Sequence, residues 1–357
     1  MAQLPESTES TDAKQAPEAA LPVVVLKTKS DRRIKQGHCW VYSNEINIER
    51  SQFKTFAAGQ QATLVNPHGL VLGSGYFNPQ ALLCGRLYSR ADQQPLDGAF
   101  IRRQVTAAYG WRQACYQQPY YRLVYGDGDN LPGLVIDRYG DVLVMQINTA
   151  GMMAVLEAIV SSLVDVLKPS GIVLRNEKEN TIEQLPAQTE VVYGKVPNFV
   201  EIIENGVAFN VPVMGGQKTG WFYDHRDSRA LLAKYCQGKR VLDVYSYLGG
   251  WGLQAMASGA ESVTCIDSSA SALAQAEASA TTAGCDTQMR FLKGAATDVL
   301  KSLIRKHLIF DVIVLDPPAF IKRRKDQRSG ENAYHHINQL AIKLLAESGL
   351  LVSASCS

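Results

Sequence analysis

The sequence has no apolar run long enough to cross a bilayer, and its first 20 residues are polar, without the apolar segment of a signal peptide. We interpret residues 1–20 as a disordered tail. The seven cysteines are scattered singly and form no CxxC pair, which excludes the common zinc motifs and a disulfide framework. We therefore expect a cytoplasmic protein with reduced thiols, no metal and no membrane partner.

The net charge is only +2, but the charges are unevenly distributed along the chain. Residues 21–120 hold 12 Lys and Arg against 5 Asp and Glu, residues 121–210 hold 6 against 12, and residues 211–357 hold 17 against 13. Two basic blocks around an acidic one are compatible with a nucleic acid that contacts both ends of the molecule. Ordinary surface charge explains the pattern equally well.

Three segments with different patterns follow the tail. Residues 21–95 contain short β-rich runs separated by turns, which predicts a small β-barrel domain. Residues 96–200 begin with a helical pattern and continue with hairpin-like strands, as in a small α+β domain. Residues 201–357 alternate strands with helices, which indicates a parallel sheet covered by helices on both faces. In such a sheet, the ligand site lies beyond the carboxyl ends of the strands.

Two acidic residues in this last segment fit a nucleoside site. The first predicted strand reaches Asp243 and leads into a loop with Gly249 and Gly250, where the backbone can approach a ligand closely. The second strand ends at Asp267, where a carboxylate can bind both ribose hydroxyls. The GGxG spacing differs from the GxGxxG of nicotinamide enzymes. A tight turn with a helix cap is the alternative interpretation.

Two further strand ends carry residues suited to a nucleobase. The fourth strand ends in Asp316, followed by two prolines, an alanine and Phe320. The prolines stiffen this turn, and the aromatic ring is able to stack on a base that has left its helix. The fifth strand leads to Cys356, which is placed to act as a nucleophile at the active edge of the sheet. A rigid turn and a buried structural cysteine are the alternatives.

Two polar segments accompany these strand ends. A cationic loop follows the fourth strand and favours a nucleic-acid backbone over an ordinary solvated loop; its cations are Lys322, Arg323, Arg324, Lys325 and Arg328. Residues 215–229 combine aromatic side chains with Gln217, Lys218 and Arg226, so we expect part of this segment to line a cofactor site. His225 belongs to the same segment and is interpreted as a helix-start residue without a catalytic role.

Together these motifs resemble one known family. VLDVYSYLGGWG, QKTGWFYDHRDSR, LDPPAF and SCS are similar to motifs of the bacterial methyltransferases that act on cytosine C5 in large-subunit (23S) ribosomal RNA. RRIKQGHCWVYSNEI resembles the start of that family's RNA-binding PUA domain, and residues 121–141 resemble its central domain. The resemblance implies an α/β fold. A Rossmann-like class I domain that uses S-adenosylmethionine would follow a PUA-like domain and a central α+β domain.

The resemblance also implies roles for individual residues. Cys356 would attack C6 of the cytosine and Asp316 would contact the base near N3, while Asp243 and Asp267 would hold the amino-acid part and the ribose of the cofactor. The implied cofactor residues are Gln217, Lys218, Arg226, Asp243, Tyr245, Gly249, Gly250, Asp267, Ser268, Gly294, Ala295 and Asp316. The implied RNA contacts are Arg32, Arg33, Lys35, His38, Phe320, Lys322, Arg323, Arg324 and Lys325.

The sequence departs from the family pattern at two places. Ala295 stands where the family often has an acid for the adenine amine. The chain ends at Ser357, whereas the family continues past the cysteine, so we expect residues 201–357 to be an incomplete methyltransferase domain. Alternatives are an N-methyltransferase acting on a guanine or adenine amine of ribosomal RNA, a non-catalytic RNA-binding ribosome assembly factor and, last, a nicotinamide oxidoreductase. A homodimer and the target nucleotide stay open.

Overall fold

The computed structural model describes residues 20–357, so all but the last residue of the tail predicted for residues 1–20 lies outside the described residues. The chain divides into two compact units that adjoin in sequence between Phe100 and Ile101. The second unit includes both segments that the sequence separates at residue 200, and the three domain boundaries drawn from the sequence stay a prediction. No helix in the described part of the chain combines the length and the apolar character needed to cross a bilayer.

The first unit is built on one five-stranded sheet. Its elements are β1 (Val23–Val25), α1 (Arg32–Lys35), β2 (Trp40–Tyr42), β3 (Gln60–Val65), β4 (Val71–Phe77) and β5 (Leu83–Ser89). The strand order is β1-β3-β4-β5-β2, with a parallel pair between β1 and β3 and antiparallel pairs elsewhere. Apolar side chains such as Leu64 and Phe77 form a single core, which confirms the predicted small β domain.

The first part of the second unit is a mixed sheet with helices. After α2 (Gly98–Cys115) its elements are β6 (Tyr120–Tyr125), β7 (Leu134–Tyr139), β8 (Val142–Ile147), α3 (Ala150–Met153), α4 (Leu156–Leu167), β9 (Gly171–Asn176) and β10 (Gln188–Gly194). The strand order is β10-β9-β8-β7-β6, and α3 and α4 connect the parallel pair β8 and β9. A separate hairpin follows, formed by β11 (Phe199–Glu204) and β12 (Val207–Pro212).

The rest of the second unit is the parallel sheet that the alternating pattern predicts. Its elements are α5 (Arg226–Ala233), β13 (Arg240–Val244), α6 (Gly250–Ala257), β14 (Ser262–Asp267), α7 (Ala270–Thr282), β15 (Met289–Lys293), α8 (Ala296–Arg305), β16 (Phe310–Leu315), α9 (Gln327–Ile342) and β17 (Leu345–Ser353). The strand order is β15-β14-β13-β16-β17, and each neighbouring pair is parallel. The chain runs outward from β13 to β15 and then returns to place β16 on the other side of β13. The switch point therefore lies between β13 and β16, and such points create ligand crevices.

Alternate side chains of the central strands enter two different cores. One core combines one face of the sheet with α6 and α7; its members include Val241, Val312, Val314, Leu253 and Leu273. The other combines the opposite face with α8 and α9; its members include Leu242, Val244, Ile313, Leu315, Leu300 and Leu340. Both faces of the sheet are therefore covered, which is why its strands read as continuous apolar runs. The predicted Rossmann-like architecture is confirmed.

The last helix ends earlier than its sequence pattern indicates. Apolar spacing predicts a helix over residues 334–349, but α9 begins at Gln327, within the predicted cationic loop, and so includes Arg328. It ends at Ile342, and β17 begins at Leu345. Leu345 pairs with Phe310, and the neighbouring Leu344 is fully buried. Burial against the edge of the sheet therefore overrides the local helix propensity of this segment.

Candidate active site

The carboxyl ends of the parallel strands bring the predicted site residues to one edge of the sheet. Val244 pairs with Ile266 on one side and with Leu315 on the other, and Leu315 pairs with Ser353. The acids at positions 243, 267 and 316 and the cysteine at position 356 therefore leave four adjacent strands at a common edge. Because the strands are parallel and in register, this edge is where a ligand site forms.

Asp243 is fully buried beneath the glycine loop. Its Oδ2 accepts a hydrogen bond of 2.9 Å from the backbone N–H of Gly252, whereas its Oδ1 has no partner among the described residues. Burial raises the pKa of Asp243 to about 7, and the nearby carboxylates of Asp316 and Asp267 act in the same direction. The hydroxyl of Ser246 is also buried, next to the thiol of Cys265. The Oδ1 atom of Asp243 is thus the acceptor under the loop that is able to bind a ligand.

The glycine loop is held in a strained conformation. Tyr245 and Tyr247 have φ angles of 67° and 49°, and Gly249 has a φ of 72° at the start of α6. Left-handed conformations cost a side-chain-bearing residue roughly 1–2 kcal/mol, so the surrounding packing must enforce them. The loop delivers the N-terminus of α6, beginning at Gly250, to the site edge, where free amides favour an anionic or electron-rich ligand.

Asp267 organises the neighbouring loop through both carboxylate oxygens. Oδ2 accepts a hydrogen bond of 2.9 Å from the backbone N–H of Tyr247, and Oδ1 accepts one of 2.8 Å from Ser269. The backbone N–H of Gly294 donates to the Asp267 carbonyl, which brings the tip of β15 to the same place. Each carboxylate oxygen keeps a lone pair for ribose hydroxyls. The neighbouring candidates Ser268 and Ala295 are exposed at this edge.

Of the three predicted cofactor residues in the segment before β13, Gln217 contacts the glycine loop directly. The hydroxyl of Tyr247 accepts from the backbone N–H of Gln217 at 3.1 Å and donates to the Gly220 carbonyl at 3.0 Å. Lys218 follows directly, with its Nζ 4.9 Å from the Phe222 ring centre. Arg226 instead contacts the carbonyl of Tyr120 and the carboxylate of Glu204, and its guanidinium lies over the rings of Tyr116 and Tyr223. Its cofactor role stays a prediction.

Strand β7 of the mixed sheet holds residues 219–221 of this segment through hydrogen bonds. The Thr219 hydroxyl donates to Asp137 Oδ2 at 2.5 Å, and Arg122 donates to both oxygens of the same buried carboxylate at 2.9 and 3.1 Å. The Tyr139 hydroxyl accepts from the Trp221 backbone N–H at 3.0 Å and donates to the Thr219 carbonyl at 3.1 Å. Strand β7 therefore positions the segment that covers the glycine loop.

Asp316 is contacted by two side chains for which the sequence analysis predicts no catalytic role, His225 and Trp251. Trp251 donates its indole N–H to Asp316 Oδ2 at 3.2 Å, and His225 Nε2 lies 3.5 Å from Asp316 Oδ1. Burial acts to raise the pKa of Asp316, but the contacts with His225 and Trp251 outweigh it and lower this pKa. No sequence signal links these residues, because the contact exists only after α5 and α6 pack side by side.

Cys356 lies on the chain that leaves β17 beside Asp316. The backbone N–H of Ala354 donates to the Leu315 carbonyl at 2.8 Å, which continues the strand pairing beyond Ser353. The Ser357 hydroxyl accepts from the Ile321 backbone N–H at 3.1 Å and lies 2.8 Å from the Tyr334 hydroxyl. Cys356, between these attachment points, is exposed. The thiol is thus accessible at the edge that also bears Asp316.

Phe320 belongs to an aromatic cluster next to the same edge. Its ring centre is 4.7 Å from that of Tyr334 and 6.5 Å from that of Tyr245 in the glycine loop. The cations of the loop that follows it are all exposed; those predicted to contact RNA are Lys322, Arg323, Arg324 and Lys325. Aromatic faces and free cations therefore adjoin the carboxylate and thiol.

The predicted RNA contacts of the first unit lie on or just after α1; they are Arg32, Arg33, Lys35 and His38. Arg33 donates to both oxygens of Glu45 at 2.9 and 3.0 Å, and Lys35 forms an ion pair of 2.5 Å with Asp31. Two of the three Lys and Arg side chains are therefore partly neutralised by acids of the same unit. Arg32 and His38 have exposed side chains.

Comparison with known proteins decides the family. A PUA-like domain family matches residues 24–90, and a family of S-adenosylmethionine-dependent methyltransferases matches residues 183–355. The chain is 31% identical to ribosomal RNA large subunit methyltransferase I of Klebsiella pneumoniae, over 95% of this chain and 86% of that protein. It is 33% identical to the protein of the same name from Tolumonas auensis, over 94% and 85%. This chain belongs to the ribosomal RNA large subunit methyltransferase I family.

Solved structures support the same fold. A protein named as a SAM-dependent methyltransferase from Streptococcus mutans superposes with a TM-score of 0.78 and 23% identity, over 93% of this chain and 85% of the other. A methyltransferase complexed with SAH superposes with a TM-score of 0.80 and 24% identity, over 94% and 86%. As a member of the large subunit methyltransferase I family, the chain is an S-adenosylmethionine-dependent methyltransferase.

Proposed function

We propose that the chain methylates C5 of a cytosine in large-subunit ribosomal RNA through a covalent adduct with Cys356. The names of its relatives support the RNA class. The observation that carries the finer assignment is the exposed thiol of Cys356 at the sheet edge that also bears Asp316. An N-methyltransferase needs no thiol there, whereas C5 of cytosine is a poor nucleophile until C6 has been attacked.

The residues at this edge fit S-adenosylmethionine. Asp243 Oδ1 is a buried acceptor without a partner among the described residues and suits the cofactor's ammonium group. The amide at Gly250, in the first turn of α6, suits its carboxylate, whereas the Gly249 N–H donates to the Ser246 carbonyl at 2.8 Å within the loop. Asp267 is placed for the ribose hydroxyls. When bound, the cofactor supplies an electrophilic methyl group. Gly294 and Ala295, at the tip of β15, adjoin Asp267 and provide backbone groups for the adenine.

The proposed reaction uses the thiolate as a temporary substituent of the base. Cys356 Sγ forms a bond to C6, and the electron pair of the C5–C6 double bond shifts to C5, which then accepts the methyl group. A base next removes the proton from C5. The returning electron pair restores the double bond and expels the thiolate, so atoms and charge balance over the cycle.

In this proposal, Asp316 and Phe320 hold the base. Phe320 offers an aromatic face beside Tyr334 and Tyr245, and a base extruded from the RNA gains roughly 1–3 kcal/mol from such stacking. Asp316 faces the N3 edge and its exocyclic amine, which donates to a carboxylate. The prolines after Asp316 keep the carboxylate at the strand tip, because they remove backbone flexibility.

The Cys356→Ala variant tests the covalent mechanism, with Cys115→Ala as the matched control because Cys115 is also exposed and lies on α2. Ribosomal RNA lacking the modification would be incubated with radiolabelled S-adenosylmethionine, digested and analysed for 5-methylcytosine by mass spectrometry. We expect Cys356→Ala to lose turnover by at least about 10³-fold, as for other covalent nucleophiles, and Cys115→Ala to retain it. RNA containing 5-fluorocytosine should form a protein adduct stable to denaturing electrophoresis, since fluorine cannot leave as a proton does.

The second candidate is methyl transfer to an exocyclic amine of guanine or adenine. The observation that favours it is a carboxylate kept as an acceptor and followed by two prolines and Phe320, since such a group also suits an amine. Full turnover by Cys356→Ala, with an N-methylated product, would select this candidate. Lack of S-adenosylmethionine binding in calorimetry would instead favour a non-catalytic RNA-binding factor.

A further inference from the structure

We propose that His225 is a positioning residue: together with Trp251, it fixes the Asp316 carboxylate in the orientation that receives the amine of the target base. The two side chains approach different oxygens of Asp316: His225 Nε2 forms an ion-pair contact of 3.5 Å with Oδ1, and the Trp251 indole N–H donates to Oδ2 at 3.2 Å. Contacts on both oxygens restrain the carboxylate from rotating about its terminal bond. The lone pairs of Asp316 that remain free then point in a defined direction, towards the position of the target base.

The two side chains are themselves held in place. The ring centres of His225 and Trp251 lie 5.5 Å apart, and the Arg229 guanidinium lies 5.9 Å from the Trp251 ring. Arg229 donates to the buried carboxylate of Glu204 at 2.7 Å and to the Phe222 carbonyl at 2.7 Å. Trp251 is only 4% exposed. Trp251, which contacts Asp316, is therefore packed against Arg229, a buried cation with two hydrogen bonds of its own.

The hairpin and α6 anchor this fixed cation as well. Glu204, at the end of β11, accepts from the Trp221 indole N–H at 2.9 Å and from the Gln254 side-chain amide at 2.9 Å, besides Arg229. All four side chains of this network are buried, so a rearrangement of its hydrogen bonds would be costly; they are Glu204, Trp221, Arg229 and Gln254. His225 directly precedes α5, the helix that carries Arg229, so core packing of this helix helps to fix the position of His225.

The charges around His225 favour its protonated form beside the ionised carboxylate of Asp316. Asp316 faces it from the tip of β16, Asp224 adjoins it in the chain, and Arg229 faces it from α5 with the opposite effect. The contact with Asp316 raises the pKa of His225 in spite of burial. The same contact helps to lower the pKa of Asp316, so Asp316 stays an acceptor to lower pH than an isolated aspartate would.

An acceptor-only carboxylate at this position selects the base. It accepts from an exocyclic amine, whereas a neutral carboxyl group would also donate and would tolerate a carbonyl oxygen. The inference rests on the proposed methyl transfer to an RNA base, but not on the covalent step, because an amine must meet Asp316 in either candidate reaction. His225 acts through Asp316 and needs no contact with substrate of its own.

Two variants separate positioning from charge. His225→Gln keeps a side-chain N–H donor without the charge, and His225→Leu removes both; His335→Leu on α9, whose side chain is exposed, serves as the control. Steady-state kinetics would use undermodified ribosomal RNA and S-adenosylmethionine at a series of pH values that extends below the ordinary aspartate pKa of about 3.9. Thermal unfolding of each variant, with cofactor affinity by calorimetry, verifies that the fold and the cofactor site are intact.

We expect His225→Leu to lower kcat about 10- to 100-fold, the effect of removing a partner that orients an active-site ligand, with KM for RNA and Kd for cofactor changed less than about twofold. His225→Gln should recover most of kcat. In both variants, the acid limb of the kcat profile should move to higher pH, because Asp316 loses a neighbouring cation.

An unchanged kcat in His225→Leu, equal losses in the Gln and Leu variants, or an unmoved acid limb would each overturn the proposal. The covalent mechanism fails independently, through an active Cys356→Ala variant. An active Cys356→Ala enzyme that still depends on His225 would therefore remove the cytosine C5 assignment while retaining the positioning role.

Discussion

Replacing Gly252 by alanine measures how tightly the glycine loop is packed on the sheet. The backbone N–H of Gly252, within α6, donates to Asp243 Oδ2 at 2.9 Å. A Cβ at this position would lie 2.8 Å from Cys265 Sγ, 3.0 Å from Val263 Cγ1 and 3.3 Å from Asp243 Oδ2. All three neighbours are buried in β13 and β14, so none can turn into solvent.

Two opposing effects decide the result. Alanine within a helix is favoured over glycine by about 0.5–1 kcal/mol, whereas overpacking a buried site costs about 1–3 kcal/mol. At Gly252 the second effect exceeds the first, because the nearest contact is far inside ordinary van der Waals distance. The expected net loss is about 1–2 kcal/mol, which lowers the melting temperature of a domain of this size by about 2–8 °C.

Gly110 provides the matched control. It lies within α2, and a Cβ there would meet no atom within 4 Å, so the same substitution should stabilise the protein by about 0.5–1 kcal/mol. Differential scanning calorimetry gives both changes, and titration calorimetry gives the affinity for S-adenosylmethionine. We expect Gly252→Ala to raise the cofactor Kd at least about tenfold. A displaced loop needs to weaken the binding free energy by only about 1.4 kcal/mol for this effect. Equal melting temperatures and equal Kd values for Gly252→Ala and the native protein would refute the reasoning.

Two further substitutions test the buried charges. Glu204→Ala removes the buried acceptor shared by Arg229, the Trp221 indole and the Gln254 amide, so it should cost about 3–5 kcal/mol in urea unfolding, whereas the exposed Glu201→Ala on the same strand should cost under about 0.5 kcal/mol. Similar losses in the two variants would contradict the assigned network. For Asp243, burial raises the folded pKa to about 7, above its unfolded value of about 3.9, so its ionisation destabilises the fold as pH rises through this interval. Asp243→Asn should therefore gain in melting temperature relative to the native protein between about pH 5 and pH 8 without cofactor, and a pH-independent difference would disprove this.

The strand ends show how far pattern reasoning reaches. A continuous apolar run followed by an acid, repeated at Asp243, Asp267 and Asp316, predicts a parallel sheet and a common edge, and the register confirms both. The inference succeeds because direction and burial of a strand are encoded in a few consecutive residues. The end of α9 shows the limit, since a helix pattern that continues to Gly349 yields at Ile342 to pairing with β16.

The candidate site shows a different limit. His225 and Trp251 contact the same carboxylate although they lie 26 positions apart, with α5 and β13 between them, and Asp316 lies 65 positions beyond Trp251. Arg226 stands beside His225 in the sequence, but its guanidinium points to Tyr120 and Glu204. Adjacent helix residues face different directions, so membership of a polar segment does not decide which side chains share a site.

The sequence alone determined the strand and helix order of the parallel sheet, the placement of three acids and one cysteine at strand ends, and the family to which the chain belongs. Those features are local or are read from motifs, and short stretches of chain carry them. The tertiary structure decided that Asp243 is buried with a free oxygen, that Glu204 collects three donors, and that His225 and Trp251 hold Asp316. Such contacts depend on how separate elements pack, and no local pattern records that packing.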